Sequence, residues 1–552
     1  MAVNKEKIEE LRKQEAEDLA KILSQKYQLP YLDLTRITID LDSLKIVPEK
    51  TARESRLAVF QSVGKKLQVA VRNPDIPSTR EILEELKRTG YTAQLFIVSE
   101  NSLQKAWSRY KEVPEFTEIS KGLIEISEEK IDNFLVKIKN TADLKTALET
   151  LANSNQARKI SEMLEAILGG ALSLEASDVH IEPQEETARL RTRLDGVLQD
   201  VVFFDKKTYS LILSRIKLIS ELKLNIHDKA QDGRFTIRAQ TNDIEVRTSI
   251  LPGPFGESIV LRILNPKTIA LAFADLGLHP VLLEIMEKEI DRPNGMILTT
   301  GPTGSGKTTT LYAFVKKIYS PATKIITIED PIEYHLAGIS QTQVKEEKGY
   351  DFAKGLRSIL RQDPDIILVG EIRDLETAET AMHAALTGHL VFSTLHTNNA
   401  AGTVPRLIDL GVKPNIIAPA INVTMAQRLV RKLCAQCKQK DLPTAEEKST
   451  IEKILKDLPK NIAQPDLSNL SIFRPKGCGH CNATGYQGRV GVFEAILIND
   501  EIEKLILKTP SENEITKAAK KQNIPTIEQD AILKAASGIT SLEEIKRILG
   551  VF

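Results

Sequence analysis

Residues Gly301, Pro302, Thr303, Gly304, Ser305, Gly306, Lys307 and Thr308, followed by Thr309, match the pattern G-x-x-x-x-G-K-[ST]. The chemistry of this pattern is phosphate binding. Backbone N–H groups wrap phosphate oxygens, which needs glycines free to adopt dihedrals closed to other residues. The lysine reaches the β- and γ-phosphates, and the hydroxyl after it holds Mg2+. Here Lys307 and Thr308 take those places. A second set of chemical residues is Cys434, Cys437, Cys478 and Cys481, the only cysteines in the chain. Two C-x-x-C pairs supply four thiolates, a ligand set for tetrahedral Zn2+ with no open position. A structural zinc contributes about 10–16 kcal/mol of apparent binding energy and a disulfide about 2–5 kcal/mol. A reducing interior also disfavours the disulfide alternative.

Carboxylates come next. In RQDPDIILVGEIRD (361–374) the apolar run IILV ends at Gly370-Glu371. Many phosphate-loop enzymes carry an Asp at the Gly370 position to hold Mg2+. Glu371, the first carboxylate after the run, suits a general base or a water-orienting group; the alternative is a surface ion pair with Arg373. TIEDPIEYH (327–335) places Glu329, Asp330 and Glu333 after the run KIITI, at the sheet edge where open α/β folds bind ligands. Asp330 has the alternative of capping a turn before Pro331. In LTGHLVFSTLHTNNA (386–400), His389 and His396 flank the strand-like VFST, and either senses the γ-phosphate, links subunits or is structural.

The elements that must position these groups are legible from periodicity. MILTT reads as a strand before the glycine-rich loop and TLYAFVKKIY as a helix after it. From residue 270 onward strands alternate with helices, the pattern of a parallel nucleotide-binding sheet. Between the two cysteine pairs, TAEEKSTIEKILKDL reads as a helix that lets the knuckles meet across an unusually long gap. Upstream, ISEMLEAILGGAL reads as a helix, and Asp195-Gly196 inside RLRTRLDGVLQDVV as a hairpin turn. Arg189, Arg191 and Arg193 fall at period two on one face of that strand; a solvated edge that blunts strand pairing is the alternative reading. Near the start, Leu19, Ile22, Leu23 and Tyr27 share a helical face, and LAVF, LQVAV and AQLFIV read as strands of a small α/β unit.

The expected organisation is a docking domain at 1–110, a charge-rich linker at 111–150, a second N-terminal domain at 151–268 and a phosphate-loop domain at 269–552. The last holds a zinc-binding insertion at about 430–495 and a helical end. The 75 basic residues balance 75 acidic ones among 552, so no net field draws the chain to nucleic acid. The start MAVNKEKIEELRKQEAEDLAK lacks an apolar signal region, and no window reaches the roughly 18 apolar residues of a membrane span. A cytoplasmic protein is expected.

In this order, GPTGSGKTTT, TIEDPIEYH, DPDIILVGEIRD and TGHLVFSTLHTN resemble the Walker A, Asp box, atypical Walker B and His box of the secretion ATPases. The resemblance is to the branch that drives type IV pilus assembly and type II secretion. SDVHIEP, RLRTRLDGVL, KLNIHDKAQDGRF and VRTSILPGPFGESIVLRIL resemble that branch's second N-terminal domain, and GCGHCNATGYQGRVGVFE its zinc-bearing segment, which retraction-type relatives generally lack. The likeness is strong over 155–550 and weaker over 1–110. It implies an α/β chain with a RecA-like P-loop domain, a PAS-like second domain and a small first domain. It implies ATP, Mg2+ and Zn2+ as cofactors, and a homohexamer hydrolysing ATP at subunit boundaries. It also implies an inner-membrane platform protein as partner and a membrane-bound recruitment protein on the first domain, with the chain held peripherally at the inner face of the membrane. By the same resemblance Arg191, Arg193, Arg247 and Arg262 reach the γ-phosphate, where an arginine finger is worth roughly 10³–10⁵ in rate. Some relatives bind cyclic di-GMP through an upstream R-L-G pattern; none precedes residue 30, so messenger binding is not expected. The function expected is pilus assembly, with type II secretion as the alternative. A nucleic-acid motor is disfavoured by charge, and an inactive scaffold by intact Lys307, Thr308 and Glu371.

Overall fold

The computed structural model describes residues 2–551 except 38, 45, 64, 89, 112–122, 126–127, 154–158, 239–242 and 266–270. The chain divides into two compact units, Met1–Ile119 with Asn155–Arg158, and Ser120–Ser154 with Lys159–Phe552.

The first unit has a three-stranded sheet in which Lys66–Val71 lies between Leu57–Val63 and Thr92–Ile97. The three strands coincide with the apolar runs expected to form them, and Trp107 fastens its helix to the sheet by donating to the Leu57 carbonyl at 3.0 Å. The helix Ala2–Tyr27 uses only part of the expected face. Leu23 and Tyr27 pack against the core, whereas Leu19 and Ile22 are 47% and 63% exposed and Ala20 is buried. Polar anchors set its rotation. The Glu17 carboxylate accepts from the Tyr31 hydroxyl at 2.5 Å and the Ser99 hydroxyl at 2.6 Å, and the Ser24 hydroxyl donates to the Leu29 carbonyl. Residues 17, 20, 24 and 27 therefore face inward, at helical spacing.

The second unit begins where a linker was expected. Helices Glu128–Lys137 and Thr141–Ala152 pack on the helix Lys159–Ser173, with Leu144 and Leu148 fully buried. The physical reason is the Gly169-Gly170 pair. A β-carbon on Gly169 would lie 2.3 Å from the Phe134 ring, and one on Gly170 2.5 Å from a Leu144 methyl. Two small residues let the helices approach too closely for any side chain. Beneath them runs a seven-stranded sheet in the order Leu123–Glu125, Gln231–Arg238, Asp243–Gly253, Gly256–Leu264, Asp178–Pro183, Thr187–Leu194, Val197–Asp205. All its pairs are antiparallel except the first. Asp195 (φ 48°) and Gly196 (φ 81°) form the two-residue turn of the last hairpin.

The second unit holds another seven-stranded sheet, ordered Ser340–Gln343, Ile325–Glu329, Ile366–Val369, Leu390–Leu395, Gly295–Thr300, Ile421–Leu433, Tyr486–Leu497. It is parallel except for its last pair. Gly295–Thr300, Ile366–Val369 and Leu390–Leu395 are buried at every position, as a sheet covered on both faces requires. Between its last two strands the chain inserts the cysteine-bearing subdomain. Its short pair Gln439–Asp441 and Ile472–Arg474 is clamped by Arg474, which meets Asp441, Glu447 and Glu543 at 2.5–2.9 Å.

The chain ends in helices, and the last, Leu542–Leu549, is tied to the long strand by one buried carboxylate. Glu544 accepts from the Arg431 backbone N–H at 3.0 Å and from its guanidinium at 2.7 Å, and Arg547 adds a second pair at 2.6 Å. No described helix is long and apolar enough to cross a membrane. Breaking a buried ion pair from one side costs about 3–5 kcal/mol. Glu544→Ala is therefore expected to release this helix: hydrogen exchange read by mass spectrometry should speed across 541–551 and leave Gly295–Thr300 protected.

Candidate active site

The glycine-rich loop leaves the strand Gly295–Thr300 and enters the helix Lys307–Ile318. Gly301, Gly304 and Gly306 sit at φ 145°, 79° and 90°, conformations that favour glycine. Space also demands it. A β-carbon on Gly301 would lie 2.5 Å from the Gln427 carbonyl oxygen, and one on Gly306 2.8 Å from the Gln427 amide nitrogen. The Gln427 side chain accepts from the Thr310 hydroxyl at 2.8 Å, so the neighbouring strand braces both ends of the loop. The buried Ser305 hydroxyl has no partner within the described protein. Lys307 donates to the carbonyls of Gly301 at 2.8 Å and Pro302 at 3.1 Å. Burial holds its ammonium below the usual lysine range, and Glu371 partly offsets this.

The loop opens into a cleft of about 840 Å³. Thr303 to Thr309 line it, with Glu329, Asp330 and Glu333 from one strand end and Glu371, Arg373 and His396 from the next two. Glu371 pairs with Arg373, the alternative considered for it, and also lies 3.2 Å from His396 Nε2. The glycine before it has a steric reason. A β-carbon on Gly370 would meet the Ile328 carbonyl at 3.3 Å and Glu329 Cα at 3.4 Å, so an aspartate would fit only if the adjacent strand gave way slightly. Glu329 is 3% exposed and accepts from Thr327 at 2.5 Å, Gln341 at 3.1 Å and Tyr312. Burial pushes its carboxyl up, against the pull of these donors. The two histidines separate. His396 reaches the cleft, whereas His389, at the opposite end of the strand, lies 3.0 Å from the Ala384 carbonyl.

The four candidate arginines also divide. Arg193 and Arg262 line the cleft. Arg191 instead pairs with Glu182 at 2.6 Å. Arg247 donates to the Ile332 carbonyl at 2.8 Å and meets Glu333 at 3.4 Å, joining the second domain to the segment after Pro331. Among the charged lining groups, Asp178, Asp195, Arg489 and Arg547 were not anticipated as site residues. SDVHIEP alternates acidic and apolar residues, a strand signal that could have marked Asp178. Nothing local marks Arg547, which arrives on the last helix.

The four cysteine sulfurs lie within 4.8 Å of one another, with separations of 3.9 Å for Cys434–Cys478, 3.7 Å for Cys437–Cys481 and 3.7 Å for Cys478–Cys481. Metal–sulfur bonds of about 2.3 Å in a tetrahedron would space the sulfurs about 3.8 Å apart. Backbone N–H groups of Cys478 and Gly485 donate to the Cys481 sulfur at 3.2 Å, orientation suited to a thiolate. The donor set fits a thiophilic tetrahedral cation.

A mostly parallel sheet whose central strand feeds a glycine-rich loop, with carboxylates on the adjoining strand ends, defines a P-loop ATPase of RecA-like fold. The chain belongs to the family described as type II/IV secretion system protein, whose model matches residues 153–547; an MshEN domain matches residues 27–116. It is 35% identical over 533 residues to the type IV pilus assembly ATPase PilB of Myxococcus xanthus, covering 96% of this chain and 91% of that one. It is 42% identical over 400 residues to the type II secretion system ATPase E of Vibrio cholerae, covering 72% and 77%. Among solved structures, the Legionella pneumophila ATPase DotB shares the fold, with a TM-score of 0.50 at 23% identity over 72% of this chain and 97% of that one.

Gly301→Ala tests the loop. A ligand at 100 times its Kd stabilises the protein that binds it by about 2.7 kcal/mol. MgATP at that excess should raise the melting temperature of the unaltered chain and leave that of Gly301→Ala nearly unmoved, although the variant folds.

Proposed function

We propose that this chain is the ATP-hydrolysing motor of type IV pilus assembly, acting as a homohexamer at the cytoplasmic face of the membrane. The observation that carries this reading is the span of the likeness to the Myxococcus pilus-assembly ATPase, 96% of this chain including its first domain. Type II secretion is the second reading, favoured by the higher identity to the Vibrio ATPase over a shorter span. An inner-membrane platform protein is the expected load, and a membrane-bound recruitment protein the partner of the first domain. Nucleic acid is not an expected substrate.

The geometry supports distinct roles for the side chains. Residues 303–309 present backbone N–H groups to the phosphates, with the start of the helix Lys307–Ile318 adding its partial positive charge. Lys307 serves the β- and γ-phosphates, and Thr308, exposed in the cleft, holds Mg2+ together with phosphate oxygens. That ion, when bound, neutralises charge developing on the transferred phosphoryl group. Glu371 orients the attacking water and takes its proton; Arg373 and His396 fix the carboxylate's orientation. Buried Glu329 holds the floor of the cleft through Tyr312 and Gln341. Arg193 and Arg262 stabilise charge on the γ-phosphate. Arg191 and Arg247, occupied by Glu182 and by Glu333, orient the sheet that carries the other two. Zn2+ on Cys434, Cys437, Cys478 and Cys481 is structural, because all four positions are filled by protein.

ATPase rate measured against protein concentration tests the motor. The specific rate should climb cooperatively as the ring forms and rise further with the cytoplasmic part of a platform protein. Glu371→Gln should lower it about 10²–10⁴-fold with nucleotide binding retained. A specific rate independent of concentration would remove the ring from the model. Elemental analysis should find one zinc per chain. Chelation should expose residues 434–485 to proteases first, because the site's binding energy is folding energy.

A further inference from the structure

One row of side chains crosses the second domain's sheet. The strand register places Arg193 opposite Asp178, Asp178 opposite Arg262, Arg262 opposite Arg247, and Arg247 opposite Arg234. Residues directly opposite in a ladder share a face, so four arginines and one acid stand side by side across five strands. Asp178 is 4% exposed and is the only carboxylate in the row. It takes one arginine on each oxygen: Arg262 Nε donates to Oδ1 at 3.0 Å, and Arg193 Nε lies 3.3 Å from Oδ2. The Ser177 hydroxyl donates to Oδ2 at 2.9 Å and steadies the carboxylate.

Both contacts use the Nε corner of the guanidinium. The two terminal nitrogens of each fork are then the edge left for a bidentate anion. Arg193 spends one of its own on the Gly196 carbonyl at 3.2 Å; Arg262 spends neither within the described protein. Arg262 is 61% exposed, and a side chain so exposed would sample many rotamers without this anchor. Asp178, Arg193 and Arg262 all line the same cleft as the P-loop. A carboxylate so buried is retained only where cations pair with it, and here the pairs are the two arginines that face the phosphate site.

We infer that Asp178 is a positioning residue for hydrolysis: it holds Arg193 and Arg262 by their Nε atoms and turns their terminal nitrogens toward the γ-phosphate. The inference rests on the proposed role of those two arginines. Removing the charge leaves Arg193 and Arg262 without their shared counter-ion and frees both forks to turn. The effect falls on the transition state, in which charge on the γ-phosphate is greatest, and spares ground-state binding of the nucleotide.

The test is steady-state ATP hydrolysis by the full-length assembly carrying Asp178→Asn, with Arg193→Ala, Arg262→Ala and the double variant Asp178→Asn/Arg262→Ala alongside. Misplaced catalytic groups lose about 10–100-fold, so Asp178→Asn should lower kcat by about that factor. KM for ATP should stay within about twofold, and affinity for ADP with vanadate should fall in parallel with kcat while affinity for ADP alone holds. The double variant should be little slower than Arg262→Ala, because both changes remove one device. Should Asp178→Asn not fold, Asp178→Glu, which keeps the charge and displaces the oxygens, carries the same expectation. Slow arginine variants beside an Asp178→Asn of normal kcat would overturn the brace and leave the arginine role standing. Arginine variants with normal kcat would overturn the role itself. A fall in ADP affinity equal to the fall in kcat would make Asp178 merely structural.

Discussion

The contact on which the other parts depend is the one between Gln427 and the phosphate loop. A loop that offers its N–H groups to an anion cannot use them to hold its own shape, so something else must. Gln427 presses its carbonyl against Gly301 and its side chain against Gly306, and bonds Thr310. It sits in the strand Ile421–Leu433, which then runs on past the end of Gly295–Thr300, still paired with Tyr486–Leu497. Four residues later Arg431 meets Glu544 and fixes the last helix, and Cys434 follows directly after the strand. Loop, cysteine cluster and chain end are thus hung on one rigid rod. A cysteine-bearing insertion this close to the phosphate loop has a mechanical reason to be there: it terminates the strand that shapes the loop. Further contacts run the same way, with the Gly488 N–H donating to Asp195 at the arginine hairpin's tip and the Thr141 N–H donating to Asn482 beside Cys481.

Charge in the cleft is arranged by pairing rather than by excess. The chain is neutral overall, and most of the cleft charges have a fixed counter-charge. Glu371 has Arg373 and His396, Arg193 and Arg262 share Asp178, and Arg547 has Glu544. Paired groups keep their orientation before substrate arrives, so little reorganisation is left for the reaction step. The second domain contributes through a flat sheet face, where cross-strand register sets neighbours about 5 Å apart.

Sequence patterns were most legible where one residue type can meet a backbone demand. GPTGSGKT, the Asp195-Gly196 turn and the buried strand IILV could be read directly, since positive φ and two-sided burial leave few alternatives. Helix faces were less legible. Leu19 and Ile22 look like core by spacing, yet hydrogen bonds from Tyr31 and Ser99 to Glu17 rotate them outward. Some helix was expected in the charge-rich stretch after residue 120, but not its packing into the second unit, because part of its packing partner is a glycine pair, and glycines carry no hydrophobic signal. Arg191 and Arg193 are two residues apart on one face; only the register, which sets Arg193 against Asp178 and Arg191 against His180, separates them. Arg547 could not be read at all, since its place depends on where a distant helix lands.

Lys307 in this structure is already folded inward, held by the carbonyls of Gly301 and Pro302. Nucleotide binding at this lysine is therefore an exchange of acceptors, neutral carbonyls for anionic oxygens, and not the capture of a free side chain. Its rotamer entropy has been surrendered in folding, so less remains to be lost on binding. Burial disfavours its charge, and an anion beside it offsets that cost. A ligand without a strongly anionic group in that position gains nothing from this lysine.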